Sequence, residues 1–216
     1  MNIYQALAAR RTIRDFAPQA VSREITERIL EAGLRAPSHD HMRDWHFVIV
    51  NDPALRAELA GRFSGERTKA EIDKLLDGWK MTDACQRAMY VDGIPKQASM
   101  VLRAGLLVVP CFGQTTPVLA AKQSLHELNG LVSIWACIEN ILIAAASEGI
   151  QGVTKIISTP AEADHVRSVL GVPADYEIPC YLAMGYPAED ATWIEQIPVT
   201  LSERLHADTW DSSHRS

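Results

Sequence analysis

The chain has 216 residues, 47% of them hydrophobic and 22% charged, which is enough apolar material for a substantial core in one domain of ordinary size. A formal net charge of -6 and a pI near 5.6 argue against a general nucleic-acid binder, which needs a basic face to displace counterions from phosphate. The four cysteines (Cys85, Cys111, Cys137, Cys180) form no CxxC pair and read as buried reduced thiols, and the opening MNIYQALAARR has no apolar stretch for a signal peptide, so the reading is cytoplasmic.

In chain order, Ile3 and Leu7 sit one helical turn apart and predict a short amphipathic helix over 2–10. A basic cluster, RRTIRDF, follows it. Ser22 is placed to cap a helix running to about Leu34, with Ile25, Ile29, Ala32 and Gly33 on one face, and Pro37 stops it. The loop APSHDHMRD leads into WHFVIVN (45–51), an aromatic and β-branched run that reads as a strand. Asp52 caps the next helix, with Pro53 at its first position. Residues 62–97 are charged and weakly periodic and read as helical or loop material over the surface. LLVVPC (106–111) is a second strand.

From Leu131 to Ala146 only Ser133, Glu139 and Asn140 are polar, so apolar groups cover nearly every face of the predicted helix. The run is too short and too interrupted for a membrane span, which needs roughly 20 apolar residues. It is a helix to be enclosed by its own sheet, by a second subunit, or by both, and Gly149 closes it. GVTKIIS (152–158) is a third strand, Thr159 and Pro160 start a helix that Gly171 stops, and IPCYLAMGYP (178–187) is a fourth strand. Interleaved strands and helices predict an α/β or α+β sheet of four or five strands. The tail after Ala188 carries Trp193, Ile197, Leu201 and Leu205 and is too apolar to float free of the core or a partner.

Two stretches carry chemistry. Arg10, Arg11 and Arg14 with Thr12 combine guanidinium forks with a hydroxyl donor, the combination a phosphate needs; the same charges could equally form a solvated face. The loop Arg35-Ala-Pro37-Ser38-His39-Asp-His41-Met-Arg43 presents a hydroxyl, two imidazoles and two guanidiniums. A metal site is not indicated, because no HExxH or Cys/His spacing accompanies the histidines. Neither GxxxxGK[ST] nor GxSxG occurs, and no GxGxxG follows a strand.

RRTIRDF at 10–16, RAPSHDHMRDWHFVIV at 35–50 and the apolar helix with IEN leading to SEGIQGV at 147–153 resemble, in order and spacing, the nitroreductase family, over roughly residues 1–187. The minimal single-domain bacterial members, with a RAPDH-like loop, are the most similar subgroup. The resemblance implies an α+β fold with a central mixed sheet of four or five strands flanked by helices, and a long buried helix at a homodimer interface. It implies a single domain over 1–216, with a variable insert at 62–104 and an extended tail at 188–216. It further implies an FMN-dependent oxidoreductase using NAD(P)H to reduce nitroaromatic, quinone or related small acceptors by ping-pong hydride transfer, with two FMN at the subunit interface. Alternatives within the fold are reductive dehalogenation, dehydrogenation or flavin breakdown, and, outside catalysis, a flavin-binding protein without turnover.

Residue by residue, the resemblance assigns Arg10, Arg11 and Thr12 to the FMN phosphate and ribityl chain. Arg14 falls beside the flavin N1, where a cation favours the reduced form and acts as an electrostatic tuner. Arg35, Pro37, Ser38, His39 and His41 fall on the loop that reaches the other subunit's flavin, and Gly152, Val153, Thr154 and Lys155 run along the ring. The flavin carries the chemistry, so no catalytic side chain is assigned. Two stretches depart from the family pattern: His41-Met-Arg43-Asp44-Trp45 stands where Asn-x-Gln-Pro-Trp is usual, and Val153-Thr154-Lys155 where Gly-Ser and Trp are usual.

Overall fold

The computed structural model describes residues 1–63, 67–114, 116–118 and 124–210. Residues 64–66 of the expected insert and the last six of the expected tail lie outside the described residues.

The chain opens with α1 (Ile3–Ala9) and α2 (Arg23–Gly33), passes through β1 (Trp45–Ile49) to α3 (Pro53–Ala60), and then builds α4 (Lys69–Gly78), α5 (Ala84–Gly93) and α6 (Gln97–Arg103). The second half comprises β2 (Leu106–Gly113), α7 (Asn129–Ser147), β3 (Gln151–Ile156), α8 (Pro160–Leu170), β4 (Tyr176–Glu177) and β5 (Cys180–Gly185). The polar residue before each early turn does what its chemistry suggests: Ser22, Asp52 and Thr159 accept from backbone N–H groups of the first turns of α2, α3 and α8. Gly149 and Gly171 take left-handed φ values of 76° and 67°, ending α7 and α8.

The five strands form an open sheet in the order β1-β2-β5-β3, with β4 on β2. All the strand pairs are antiparallel, so the sheet is antiparallel where a mixed one was expected; an isolated parallel bridge from Thr12 to Gly152, outside the named strands, lays the basic motif along the β3 edge. β2 is covered on both faces. Leu107, Val109 and Cys111 pack with α3, α6 and α8 residues on one side, while Leu106, Val108 and Phe112 pack with α2 and α7 residues on the other. Burial on both sides explains its unbroken apolar run.

Pro110 in the middle of β2 is tolerated because of register. Val50 N donates to Leu107 O and Gly113 N to Asp44 O, so by alternation Phe47 and Pro110 form a non-hydrogen-bonded pair. The side where Pro110 lacks an N–H falls between the register of β5, which pairs 106–108, and that of β4, which pairs 112–113.

The sequence reading departs from the structure at strand ends. The third strand begins at Gln151 rather than 152 and stops at Ile156, and the stretch read as one strand over 178–187 is β5 over Cys180–Gly185, preceded by the two-residue β4. β4 carries no periodicity to read, being only Tyr176–Glu177. The insert folds as the helices α4, α5 and α6.

α7 is long and apolar enough to cross a membrane by length and composition, yet it packs as a core helix. Ile134, Cys137, Ile138, Ile141, Ala145 and Ala146 are buried; Leu131, Trp135, Leu142 and Ile143 are half-buried, and Val132 is 65% exposed. One chain therefore covers one side of α7 and leaves an apolar stripe on the other. Its closest support is α2, which approaches at Gly33: a Cβ there would lie 2.6 Å from Ile141 Cγ1 and 3.1 Å from Cys137 Sγ. Ile141 is fully buried and stiff at χ1, so it cannot give way cheaply. Gly33→Ala should cost about 1–3 kcal/mol through overpacking, outweighing the smaller gain in helix propensity. Urea unfolding measures this directly, and equal or higher stability in the variant would refute the close-packing account.

Candidate functional site

After α1 ends at Ala9 the chain runs extended along β3. Gln151, itself buried, fastens it there: its Oε1 accepts from Arg11 N at 2.7 Å and its Nε2 donates to Ala9 O at 3.0 Å. Ile13 and Phe16 are buried and hold the stretch from below. With the backbone fixed, the polar side chains separate. Arg11, Thr12 and Arg14 line one cavity of about 770 Å³, whose other walls are Cys85, Gln86 and Met89 of α5 and tail residues 194–199. The Arg11 guanidinium donates to the Ile194 carbonyl across it. Arg10 turns the other way and pairs with Glu139 of α7 at 3.3 Å, with both side chains partly exposed.

Arg14 is held from two directions. Its Nη1 donates to Asp92 at 3.1 Å, both side chains being nearly buried, and its guanidinium lies against Gly93, where a Cβ would sit 3.0 Å from Cζ. Lys96 joins the same carboxylate and bonds Asp15 at 2.6 Å. Burial pulls the Lys96 ammonium down, but its bonds to Asp15 and Asp92 more than offset this and hold it above its ordinary value.

The second group surrounds the N-terminal end of α7. His39 N donates to Ser133 Oγ at 3.1 Å, and Asn129 Nδ2 donates to His39 Nδ1 and His126 Nδ1 at 3.2 and 3.1 Å. This network assigns the His39 proton to Nε2, which lies 3.1 Å from Asp40 Oδ2. Asp40, His41 and Arg43 take positive φ values of 49°, 54° and 46°. Non-glycine left-handed residues persist only where their surroundings over-determine them. Here the anchors are Ser133 on one side and buried Trp45 on the other. Ser38 Oγ is buried without a hydrogen-bond partner. Beyond the loop, the Tyr176 hydroxyl donates to Asp44 at 3.0 Å and lies 3.2 Å from His46 Nε2. The bond to Asp44, with some desolvation, holds the Tyr176 hydroxyl above its ordinary pKa.

Of the residues singled out from sequence, the structure brings Arg11, Thr12 and Arg14 together on one cavity and gathers Ser38 and His39 at the start of α7. Arg35, Pro37 and His41 are exposed. Gly152 is packed tightly, since a Cβ there would meet Met184 at 2.7 Å, and Val153 is part of the core. Thr154 is half-buried beside them. Lys155 turns toward α8, where it pairs with Glu162 at 3.2 Å and sits over the Phe63 ring. Sequence reasoning missed Gln151, Asp92 and the α5 wall. Gln151 had a signal, a lone amide at the head of a buried strand; Asp92 had none. Among the described residues no three His, Cys, Asp or Glu side chains gather in a way that could hold a metal ion.

Cys85 lines the cavity, whereas Cys111, Cys137 and Cys180 are buried. Desolvation pushes the Cys111 thiol up to about 11 and Cys137 up to about 12, from an ordinary 9.0. Both pKa values are raised by folding, so the stability they contribute is present below pH 9 and is lost as pH rises toward 11 and 12. At pH 8 a thiol reagent should therefore modify Cys85 alone in the native protein and all four cysteines after denaturation. Rapid modification of Cys137 in the folded state would contradict this burial.

A sequence model of the Nitroreductase family matches residues 7–186. Mouse (Mus musculus) iodotyrosine deiodinase 1 is 26% identical over 202 residues, covering 88% of this chain; the match spans 63% of the mouse protein, less than two thirds of its length. Among solved structures, an iodotyrosine deiodinase bound to FMN and 3-iodo-L-tyrosine shares the fold with a TM-score of 0.66 at 19% identity, over 97% of this chain and 100% of that one. An NADPH:FMN oxidoreductase from Vibrio harveyi complexed with NAD+ gives 0.67 at 23% identity, over 98% and 79%.

Proposed function

Because the chain belongs to the nitroreductase family, we propose that it is an FMN-dependent oxidoreductase that uses NAD(P)H to reduce a small nitroaromatic, quinone or related acceptor. The observation that carries this reading is the convergence of Arg11, Thr12 and Arg14 on one cavity beside the β3 edge. Two guanidiniums and a hydroxyl suit a phosphate-bearing ligand, and the unpartnered Ser38 Oγ leaves a buried hydroxyl ready for a polar group of a second flavin, the one held by a partner subunit. The residues present therefore fit FMN. Arg11 and Thr12, with Arg10 released from Glu139, would hold the phosphate end; Arg14 would place a positive charge near the ring. Bound FMN supplies hydride acceptance and delivery, which is why no acid–base dyad is required of the protein. The protein's own share is to bind, orient and exclude water, with α5 and residues 194–199 forming the cover.

We read the active form as a single-domain, cytoplasmic homodimer with two FMN. α1 packs on α7 yet leaves Ile3, Tyr4 and Leu7 exposed at 58%, 79% and 46%, and Val132 of α7 adds to this apolar surface. Exposed apolar side chains on two packed helices suit an interface, and obligate interfaces commonly bury more than roughly 2,000 Å². The loop at 35–43 would then serve the partner's flavin.

A second reading, reductive removal of halogen from an aromatic ring, is favoured by the similarity to iodotyrosine deiodinase 1. The same cofactor serves both readings, so the acceptor decides.

The purified protein should be yellow, with one FMN per chain, and anaerobic NADH or NADPH should bleach it. Turnover of quinones, nitroaromatics and halogenated phenols then ranks the acceptors. Colour without bleaching would leave a flavin-binding protein, and no FMN uptake would overturn the reading. Bound FMN should also shield Cys85 from alkylation.

The homodimer has its own test. Tyr4→Glu with Val132→Glu should convert a dimer seen by light scattering into a monomer and weaken FMN at least tenfold. A flavin-loaded wild-type monomer at micromolar concentration would sink the dimer.

A further inference from the structure

Arg14 reaches the cavity from a compact network of two cations and two carboxylates. Asp92, on the insert helix α5, accepts from Arg14 Nη1 with one oxygen and from Lys96 Nζ with the other. Lys96 also bonds Asp15 Oδ2 at 2.6 Å and Thr192 Oγ1 at 3.2 Å, and Thr192 N donates to the same Asp15 oxygen at 3.2 Å. The side chains of Arg14 and Asp92 are 12% and 9% exposed, so water screens their interaction weakly. Gly93 lies against the guanidinium, and a Cβ there would come within 3.0 Å of Arg14 Cζ and Nε and press on it. Arg14 is thus shared between a fixed carboxylate and a cavity that it lines with Arg11 and Thr12.

We propose that Asp92 is a positioning residue: by holding the Arg14 guanidinium over Gly93 and offsetting part of its charge, it sets how strongly the basic motif acts on the ligand in the cavity. This rests on the FMN reading. A neighbouring cation favours reduced, anionic flavin over oxidised flavin, so a carboxylate that restrains that cation lowers the preference. Asp92 acts through Arg14 rather than by touching the ligand. The Lys96, Asp15 and Thr192 bonds tie the same device to the chain that leads into the cavity-lining tail, so insert, basic motif and tail are joined at one point.

The test compares Asp92→Asn with wild type, and the same substitution in an Arg14→Gln background, all loaded with FMN. The readout is the two-electron midpoint potential of bound FMN, with FMN and riboflavin affinities measured alongside. Asp92→Asn should favour the reduced form by about tenfold, an upward shift of about 30 mV. In the Arg14→Gln background the same change should shift the ratio by less than about twofold. Asp92→Ser is the second neutral variant, and either one that folds carries the test. Asp92→Glu, which keeps the charge, should stay within about twofold of wild type. A residue with a merely structural role would loosen FMN and riboflavin alike and would not raise the potential. Equal shifts in both backgrounds, or no shift with FMN bound, would overturn the inference alone. A wild-type protein that takes up no FMN would overturn the flavin reading and this inference together.

Discussion

α7 is the element the rest of the chain is arranged on: apolar residues on one side pack against the sheet and α2, and the few polar side chains in its middle each bond another segment. Ser133, Glu139 and Asn140 are the polar residues in the run, and each is the anchor of a different segment. Ser133 Oγ donates to Asn129 O within the helix and accepts from His39 N, fixing the start of the strained loop. Glu139 pairs with Arg10 at the end of α1. Asn140 Nδ2 donates to Ala32 O at the end of α2, a carbonyl that also accepts from Arg35 N. The apolar faces hold the helix in place, and its polar exceptions position the chain around it. Loop, basic motif and α2 are therefore referenced to one rigid element.

The ion pairs around the basic motif differ in kind, and the difference assigns them roles. Arg10 and Glu139 are partly exposed, so their pair is worth about 1 kcal/mol or less and can be exchanged for a ligand. Arg14 and Asp92 are nearly buried, and removing either partner would leave a desolvated charge. Arg14 therefore stays where the fold puts it, while Arg10 can swing. One motif of three arginines thus holds one in a partly exposed pair and another in a nearly buried one, which the sequence RRTIRDF alone does not distinguish.

What could be read in advance follows the range of the interactions. Helix starts at Ser22, Asp52 and Thr159 and stops at Gly149 and Gly171 depend on residues a few positions apart, and each is found where the local chemistry puts it. The buried strands and α7 announce themselves by composition, although strand ends shift by a few residues. The site was legible in part. The cluster of Arg11, Thr12 and Arg14 is local and was visible; that Lys155 would pair with Glu162 was not, because the alternation of β3 points it to the α8 side of the sheet. Asp92 lies 78 residues from Arg14, and nothing near it in sequence signals the pairing. Gln151 reaches back 140 residues for the same reason.

The two halves of the candidate site are fastened to different faces of α7, and helix geometry gives the reason. Ser133 and Glu139 are six residues apart, which is about 9 Å along the axis and about 120° around it. The loop on Ser133 and the motif beside Glu139 thus leave α7 in different directions. A second copy placed against the exposed stripe of α7 and α1 would bring its own loop toward this chain's motif. The apolar side chains exposed at Ile3, Tyr4, Leu7 and Val132 and the polar loop at 35–43 would then have a common explanation. In the proposed dimer the partner would cover the first and make use of the second, so the apolar face of α7 and a complete site would be one requirement.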